Sequence, residues 1–437
     1  MQQSAIEGIS SRLAAVDLVS RVIDDEAALD DLTDPHHGLP AYRALPAREQ
    51  LLAKAIALTT LRHHNRINFI LKKLWDRKPP QKARFLIHSL EIAVSQIVFM
   101  QVPASAAVNL AVTMIRQDNR TTRFASFANA VLRGLTRRQE DLIAASAHVQ
   151  PFPDWMAKAL VRDHGKAKFA LLCSAIQKQG NVDINFKPGV DLPIPGSIEL
   201  PGNMKRITNT IPVHEIAGYQ AGGWWVQNVA AAQAANLLGN VTGADVADLC
   251  AAPGGKTMQL ASRGANVTAV DISHKRLRLL HQNLERTGLK ANIVEADILD
   301  WLPGQLFDAI LLDTPCTATG TIRRHPDVMW NKNESAMASL IALQQKLVEK
   351  AATLLKPGGK LVYANCSLFK SEGENLVAKL SNDHLHLDPV LPGELPGLEF
   401  CINGQGCFRS LPHYLETGHF EYDGMDGFFA ARFISKP

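Results

Sequence analysis

Asp248-Leu249-Cys250-Ala251-Ala252-Pro253-Gly254-Gly255-Lys256-Thr257 follows a short aliphatic run and leads into a helix-forming stretch. Small residues and the Gly254-Gly255 pair let the main chain approach a ligand closely at the carboxyl end of a strand, where open α/β sheets bind cofactors. Two nucleotide loops are excluded. A Walker A loop needs Gly six residues before the Gly-Lys lysine, where this chain has Cys250, and no Gly-x-Gly-x-x-Gly is present.

Working outward, β-branched runs alternate with helical segments from Gly239 to the end, the pattern of a parallel sheet. The strands expected are Val246-Cys250, Asn266-Asp271, Asn292-Glu295, Ala309-Asp313 and Lys360-Ala364, with a closing pair at His384-Leu387 and Phe428-Phe433. Asp271 ends the second strand, where a carboxylate grips ribose hydroxyls in dinucleotide folds. Asp297, after the third strand, suits an adenine amino group, or else caps a helix before Ile298. Two acids following successive strands are what a single nucleoside pocket requires.

The fourth strand closes in Asp313-Thr314-Pro315-Cys316-Thr317 and the fifth in Tyr363-Ala364-Asn365-Cys366-Ser367. If these strands are neighbours, the cysteines stand about one strand spacing apart, roughly 5 Å plus loop offset. A lone cysteine is usually a small buried hydrophobe. Two in matching strand-end loops suit covalent activation of a pyrimidine: a thiolate adds to carbon 6 of cytosine, and carbon 5 then attacks a methyl sulfonium. Either Cys316 or Cys366 supplies the thiolate on this reading, with Asp313 placed for the ring contact. Downstream, Ile322-Arg323-Arg324-His325-Pro326-Asp327 is a charged loop suited to a phosphate or a flipped base, or to an internal salt bridge with Asp327.

Residues 1–145 read as helices throughout: Ile9-Val22, Arg48-Lys73, Lys82-Met100, Ala104-Arg116 and Phe127-Arg138. Lys54 to Arg138 holds fifteen Lys and Arg against only Asp76, Glu91 and Asp118. Such an excess neutralises phosphates and points to nucleic acid, although a solvated helical face also carries charge. Residues 146–238 form a small mixed segment, with helices at Trp155-Asp163 and Ala167-Gln177 and a Pro- and Gly-rich stretch from Lys187 to Gly202. The chain of 437 residues is 46% hydrophobic and 20% charged, which excludes disorder and supports two or three domains. No apolar run reaches the roughly 18 residues of a membrane span. The amino-terminal residues lack the order of a secretory signal, so a cytoplasmic protein is expected. Six scattered cysteines without zinc spacing argue for reduced thiols and no metal.

These motifs resemble the RsmB/NOP family of RNA cytosine-5 methyltransferases, the bacterial Sun/Fmu (RsmB) type. The resemblance rests on D-L-C-A-A-P-G-G-K-T, D-T-P-C, R-R-H-P-D, the Tyr363-Ser367 turn and Asp426-Gly427-Phe428-Phe429, in order, with Asn129-Ala130-Val131-Leu132-Arg133 near the end of the helical segment. It implies an α/β, class I (Rossmann-like) methyltransferase domain at 239–437, an all-α NusB-like RNA-binding domain at 1–145, and the mixed segment between. It also implies S-adenosylmethionine as cofactor, held by Cys250, Ala251, Ala252, Pro253, Gly254, Gly255, Lys256, Asp271, Asp297 and Asp313. Cys366 is then the nucleophile and Cys316 assists product release. The substrate implied is ribosomal RNA, most closely 16S, with transfer RNA or 23S rRNA as alternatives and a non-catalytic RNA-binding scaffold as the competing class. A monomer is expected. Several positions depart from the family: Asn365 replaces the usual Thr, Thr317 the usual Ser, Val182-Asp183-Ile184-Asn185 the usual Leu-Arg-Val-Asn, and Val226-Gln227-Asn228 the usual Val-Gln-Asp. Asp183 thus reverses a charge.

Overall fold

A computed structural model describes residues 2–75, 79–80, 82–209, 211–380 and 384–436, and side chains from residue 8 onward. Of the basic set, Arg77 and Lys78 lie outside the described residues, as does Asp76. The chain forms two compact units, one of residues 1–158 with 325–332, the other of 159–324 with 333–437.

The first unit is helical. Helix Arg84–Val98 is buried on nearly every side, because Leu90, Ala93 and Val94 face one apolar cluster while Ile92 faces another. Its buried ionisable residues are paired: His88 bonds Glu91 at 2.7 Å and Asp24 at 3.0 Å. The expected helix at Arg48-Lys73 is two helices, Ala47–Arg62 and His64–Leu74. The break falls at His63, whose ring stacks on Phe99 at 3.9 Å, a tertiary contact with no Gly or Pro to announce it. Nine of the basic residues are exposed: Lys72, Lys73, Lys82, Arg116, Arg120, Arg123, Arg133, Arg137 and Arg138. Arg62 is buried, and Arg84 is paired with Asp24.

The second unit is built on an eight-stranded sheet. Strands Leu355–Asn365, Phe307–Asp313, Asp245–Leu249, Asn266–Asp271 and Asn292–Glu295 lie side by side in that order, all parallel. Phe428–Ser435 joins antiparallel beyond Leu355–Asn365, and Leu385–Leu387 and Phe408–Ser410 pair with it. Side chains alternate between the faces of each strand. Val246, Leu311 and Val362 fill one core beside helix Val229–Asn236, whereas Ala247, Leu312 and Leu361 fill the other beside helix Glu334–Ala352. Both faces being covered, the strands read as nearly unbroken apolar runs. The strand order turns back at Asp245–Leu249, and this switch point opens the crevice in which the Cys250–Lys256 loop lies.

The Pro- and Gly-rich stretch proves to be part of a second, four-stranded antiparallel sheet made of Ser197–Leu200, Met204–Ile207, Val182–Phe186 and Trp224–Val226. The preceding helical run, Asp154–Ala175, is interrupted at Gly165, whose φ of 77° leaves the helix. Asp183 points inward. It bonds Arg206 at 2.7 and 3.0 Å, and its Oδ2 accepts from the Val229 amide and the Asn228 side chain, both at 3.1 Å. The reversed charge is answered inside the fold.

Candidate active site

The loop after Asp245–Leu249 begins with a left-handed turn at Cys250, φ 60°, and reaches helix Gly255–Ser262 through Gly254 at φ 103°. A Cβ at Gly254 would lie 3.0 Å from the Leu280 side chain, so glycine meets both a conformational and a packing demand. Asp248 beneath the loop is fully buried. Its Oδ2 accepts from Thr257 Oγ1 at 2.6 Å, its Oδ1 has no hydrogen-bond partner among the described residues, and burial pushes the carboxyl up to about 7.

Lys256 extends from the helix to Asp313 at 2.7 Å. Burial disfavours its ammonium, but Asp313 outweighs that and holds the pKa above the ordinary lysine value. Asp271 is buried with both oxygens engaged, Oδ2 by the Ala252 amide at 3.1 Å and Oδ1 by the Ser273 amide at 2.9 Å. It ties the second strand's tip to the glycine loop. Asp297 is exposed; its Oδ1 caps a turn by accepting from the Leu299 amide at 2.9 Å, and no helix follows at Ile298.

Strands Phe307–Asp313 and Leu355–Asn365 are neighbours, paired Asp313 to Ala364, and they bring the Cys316 and Cys366 sulfurs to 3.6 Å. Hydrogen bonding to Cys366, burial, and the nearby charges of Cys366 and Glu372 all raise the Cys316 thiol well above its ordinary value. The loops are sewn together: the Gly320 amide donates to the Cys366 carbonyl at 2.8 Å, and the Gly427 amide donates to the Gly320 carbonyl at 2.9 Å. Asn365 accepts from the Ser367 amide and donates to the Tyr363 hydroxyl and the Glu372 carbonyl. The Tyr363–Ser367 turn is thereby tied to the segment that carries Glu372.

A cavity of about 420 Å³ opens on this arrangement and is lined by Cys250, Asp271, Asp297, Asp313, Cys316 and Cys366, together with the exposed Ile272. A second, of about 470 Å³, shares Cys250 and Asp313 and is lined by Ala251, Ala252, Pro253, Gly255, Lys256, Gln227 and Arg324. Gly254 alone of the expected residues lines neither, its role being the turn. Arg324 pairs with Asp426, and Arg323 is buried, donating to the Gln179 and Asp423 carbonyls at 3.1 Å. Sequence reasoning missed Glu372, six residues past Cys366 in a stretch without periodicity, and it missed the partnership of Arg324 with Asp426.

A Rossmann-like sheet whose switch-point loop, strand-two acid and paired strand-end cysteines share one cavity defines a methyltransferase joined to a helical unit. Residues 235–434 match the family described as 16S rRNA methyltransferase RsmB/F, and residues 9–137 match the NusB family. Ribosomal RNA small subunit methyltransferase B of Xylella fastidiosa (strain Temecula1) is 30% identical over 98% of this chain and 98% of its own. The protein of that name from Xanthomonas campestris pv. campestris is also 30% identical, over 86% of this chain and 88% of its own. The chain belongs to the 16S rRNA methyltransferase RsmB/F family. The fold is shared with the crystal structure of PH0851, with a TM-score of 0.71 at 22% identity over 98% of both chains.

Proposed function

We propose that the protein transfers the methyl group of S-adenosylmethionine to carbon 5 of a cytosine in 16S ribosomal RNA, through a covalent bond between Cys366 and the base. The observation that carries this reading is the pair of sulfurs at 3.6 Å in a cavity that Asp271, Asp297 and Asp313 also line. The cofactor fits these residues: an acid-lined, strand-end cavity with an apolar wall at Ile272 accommodates a nucleoside, and the glycine turn admits the cofactor's amino-acid end close to the main chain. When bound, it supplies an electrophilic methyl sulfonium.

Cys366 attacks carbon 6 as the thiolate, forming an S–C bond and moving the ring's electron pair onto carbon 5. Asp313, paired with Lys256, accepts from the exocyclic amino group and from ring nitrogen 3 once that nitrogen is protonated. After carbon 5 is methylated, its proton must leave and the S–C bond must break. Cys316 serves that step. The first cause holding its thiol protonated is the hydrogen bond to Cys366, and that cause weakens once the Cys366 sulfur is a thioether, a poorer partner. The nine exposed cations of the helical unit support an RNA substrate through phosphate neutralisation.

The test is incubation with labelled cofactor and 16S rRNA, followed by nucleoside analysis. The expected product is 5-methylcytidine, absent with Cys366→Ala although cofactor binding is retained. A different methylated nucleoside, or undiminished turnover by Cys366→Ala, refutes the reading. Cofactor binding without turnover by the wild type on any RNA leaves the scaffold alternative.

A further inference from the structure

Glu372 lies in the short helical turn Lys370–Glu372 and is fully buried. One carboxylate oxygen accepts from the Thr317 amide and the Gln344 side chain, both at 3.0 Å. The other accepts from the Thr317 and Ser367 hydroxyls, both at 2.5 Å. Its main-chain carbonyl accepts from Tyr363 and Asn365 at 2.6 Å. Thr317 follows Cys316, and Asn365 and Ser367 flank Cys366, so this one residue grips both cysteine-bearing loops next to their sulfurs. No cation stands within ion-pairing distance of the carboxylate among the described residues. The carboxylate is met by neutral donors, the Thr317 amide, the Gln344 amide and two hydroxyls.

We propose that Glu372 is a positioning residue whose side-chain hydrogen bonds set the spacing of the two thiols. This rests on the function proposed above for the roles of the sulfurs, and it adds the group that holds them together. Glu372→Gln keeps the shape, because its carbonyl oxygen still accepts from the Thr317 amide and Gln344, while its amide donates to two hydroxyls that are free to rotate. The clamp survives. Glu372→Ala removes the side-chain bonds and keeps those of the main-chain carbonyl.

Disulfide closure on the intact protein decides the matter without requiring methyl transfer. Diamide, which accepts two electrons and two protons as an S–S bond forms, joins Cys316 to Cys366 at a rate set by their approach. In Glu372→Ala that rate is expected to drop by about tenfold or more, and in Glu372→Gln to stay within about threefold of wild type, with cofactor Kd within about twofold in both. Should Glu372→Ala fail to fold, Thr317→Val removes one hydroxyl donor from the clamp, and slower closure is again expected. Wild-type closure in Glu372→Ala or Thr317→Val overturns the proposal, as does closure in Glu372→Gln as slow as in Glu372→Ala. A wild type that makes no 5-methylcytidine sinks the function reading instead and leaves these closure rates to be judged by themselves.

Discussion

Replacing Asp183 by alanine removes the counter-charge of an arginine that has no exposure to solvent. In the intact protein Arg206 spends Nε and Nη2 on Asp183 and Nη1 on the Tyr422 and Gly424 carbonyls. The substitution orphans two charged donors and also strips the Val229 amide, at the start of helix Val229–Asn236, of its acceptor. Breaking a buried pair from one side costs about 3–5 kcal/mol, because the remaining charge is neither solvated nor paired. Glu or Asn in place of Asp183 does not restore the bidentate geometry, whereas the double change Asp183→Leu with Arg206→Met removes both charges and is expected to recover part of the loss, the Val229 amide and the Tyr422 and Gly424 carbonyls still lacking their partners. Urea unfolding followed by tryptophan fluorescence is a suitable assay, since Trp224 and Trp225 are buried in the strand paired with Val182–Phe186. A loss below about 1 kcal/mol in Asp183→Ala, or a double variant no better than the single, would refute the claim that this charge is structural. RNA affinity of the folded double variant should match wild type, because Asp183 is buried.

Three further outcomes follow from the geometry. Gly320→Ala places a Cβ at 1.8 Å from the Gly427 carbonyl oxygen and 2.8 Å from that of Cys366, and the loops must part. A loss of about 1–3 kcal/mol in stability and a larger loss of turnover than of cofactor affinity are expected in calorimetry and initial-rate assays. In the helical unit, burial works against the His88 imidazolium, but Asp24 and Glu91 outweigh it and lift its pKa to about 9. A group whose folded pKa is raised stabilises fully below its unfolded value, so this contribution, about 3 kcal/mol at most, should be complete below pH ~6.5 and lost as pH rises through about 9. Thermal melts of wild type and His88→Gln across that range should converge at the alkaline end; a constant gap contradicts the pairing. Asp248→Asn should keep cofactor binding near neutral pH, where the carboxyl is already half protonated at about 7, and an isothermal titration measures it.

Much of this was legible in the chain. Asn266-Asp271 and Asn292-Glu295 were bounded correctly because each is a short β-branched run with turn residues on both sides. Lys360-Ala364 was drawn too short, since Pro357-Gly358-Gly359 reads as a turn while the strand passes through it from Leu355, accommodated by a register shift opposite Phe307–Ala309. Strand Ser197–Leu200 was hidden among prolines and glycines, and an edge strand tolerates both. The meeting of Cys316 with Cys366 was foreseeable from strand order alone. Glu372 was not, because its partners at 317 and 344 lie in segments that only the tertiary fold brings to it.

The central claim is that Cys366 joins the base. Cys316→Ala should slow release, so the covalent complex is expected to accumulate when that variant meets 16S rRNA and cofactor. Digestion and tandem mass spectrometry of the complex locate the bond. A methylated cytosine attached to the peptide containing Cys366 is the predicted result, and attachment at any other residue, or no adduct from a variant that has lost turnover, contradicts it.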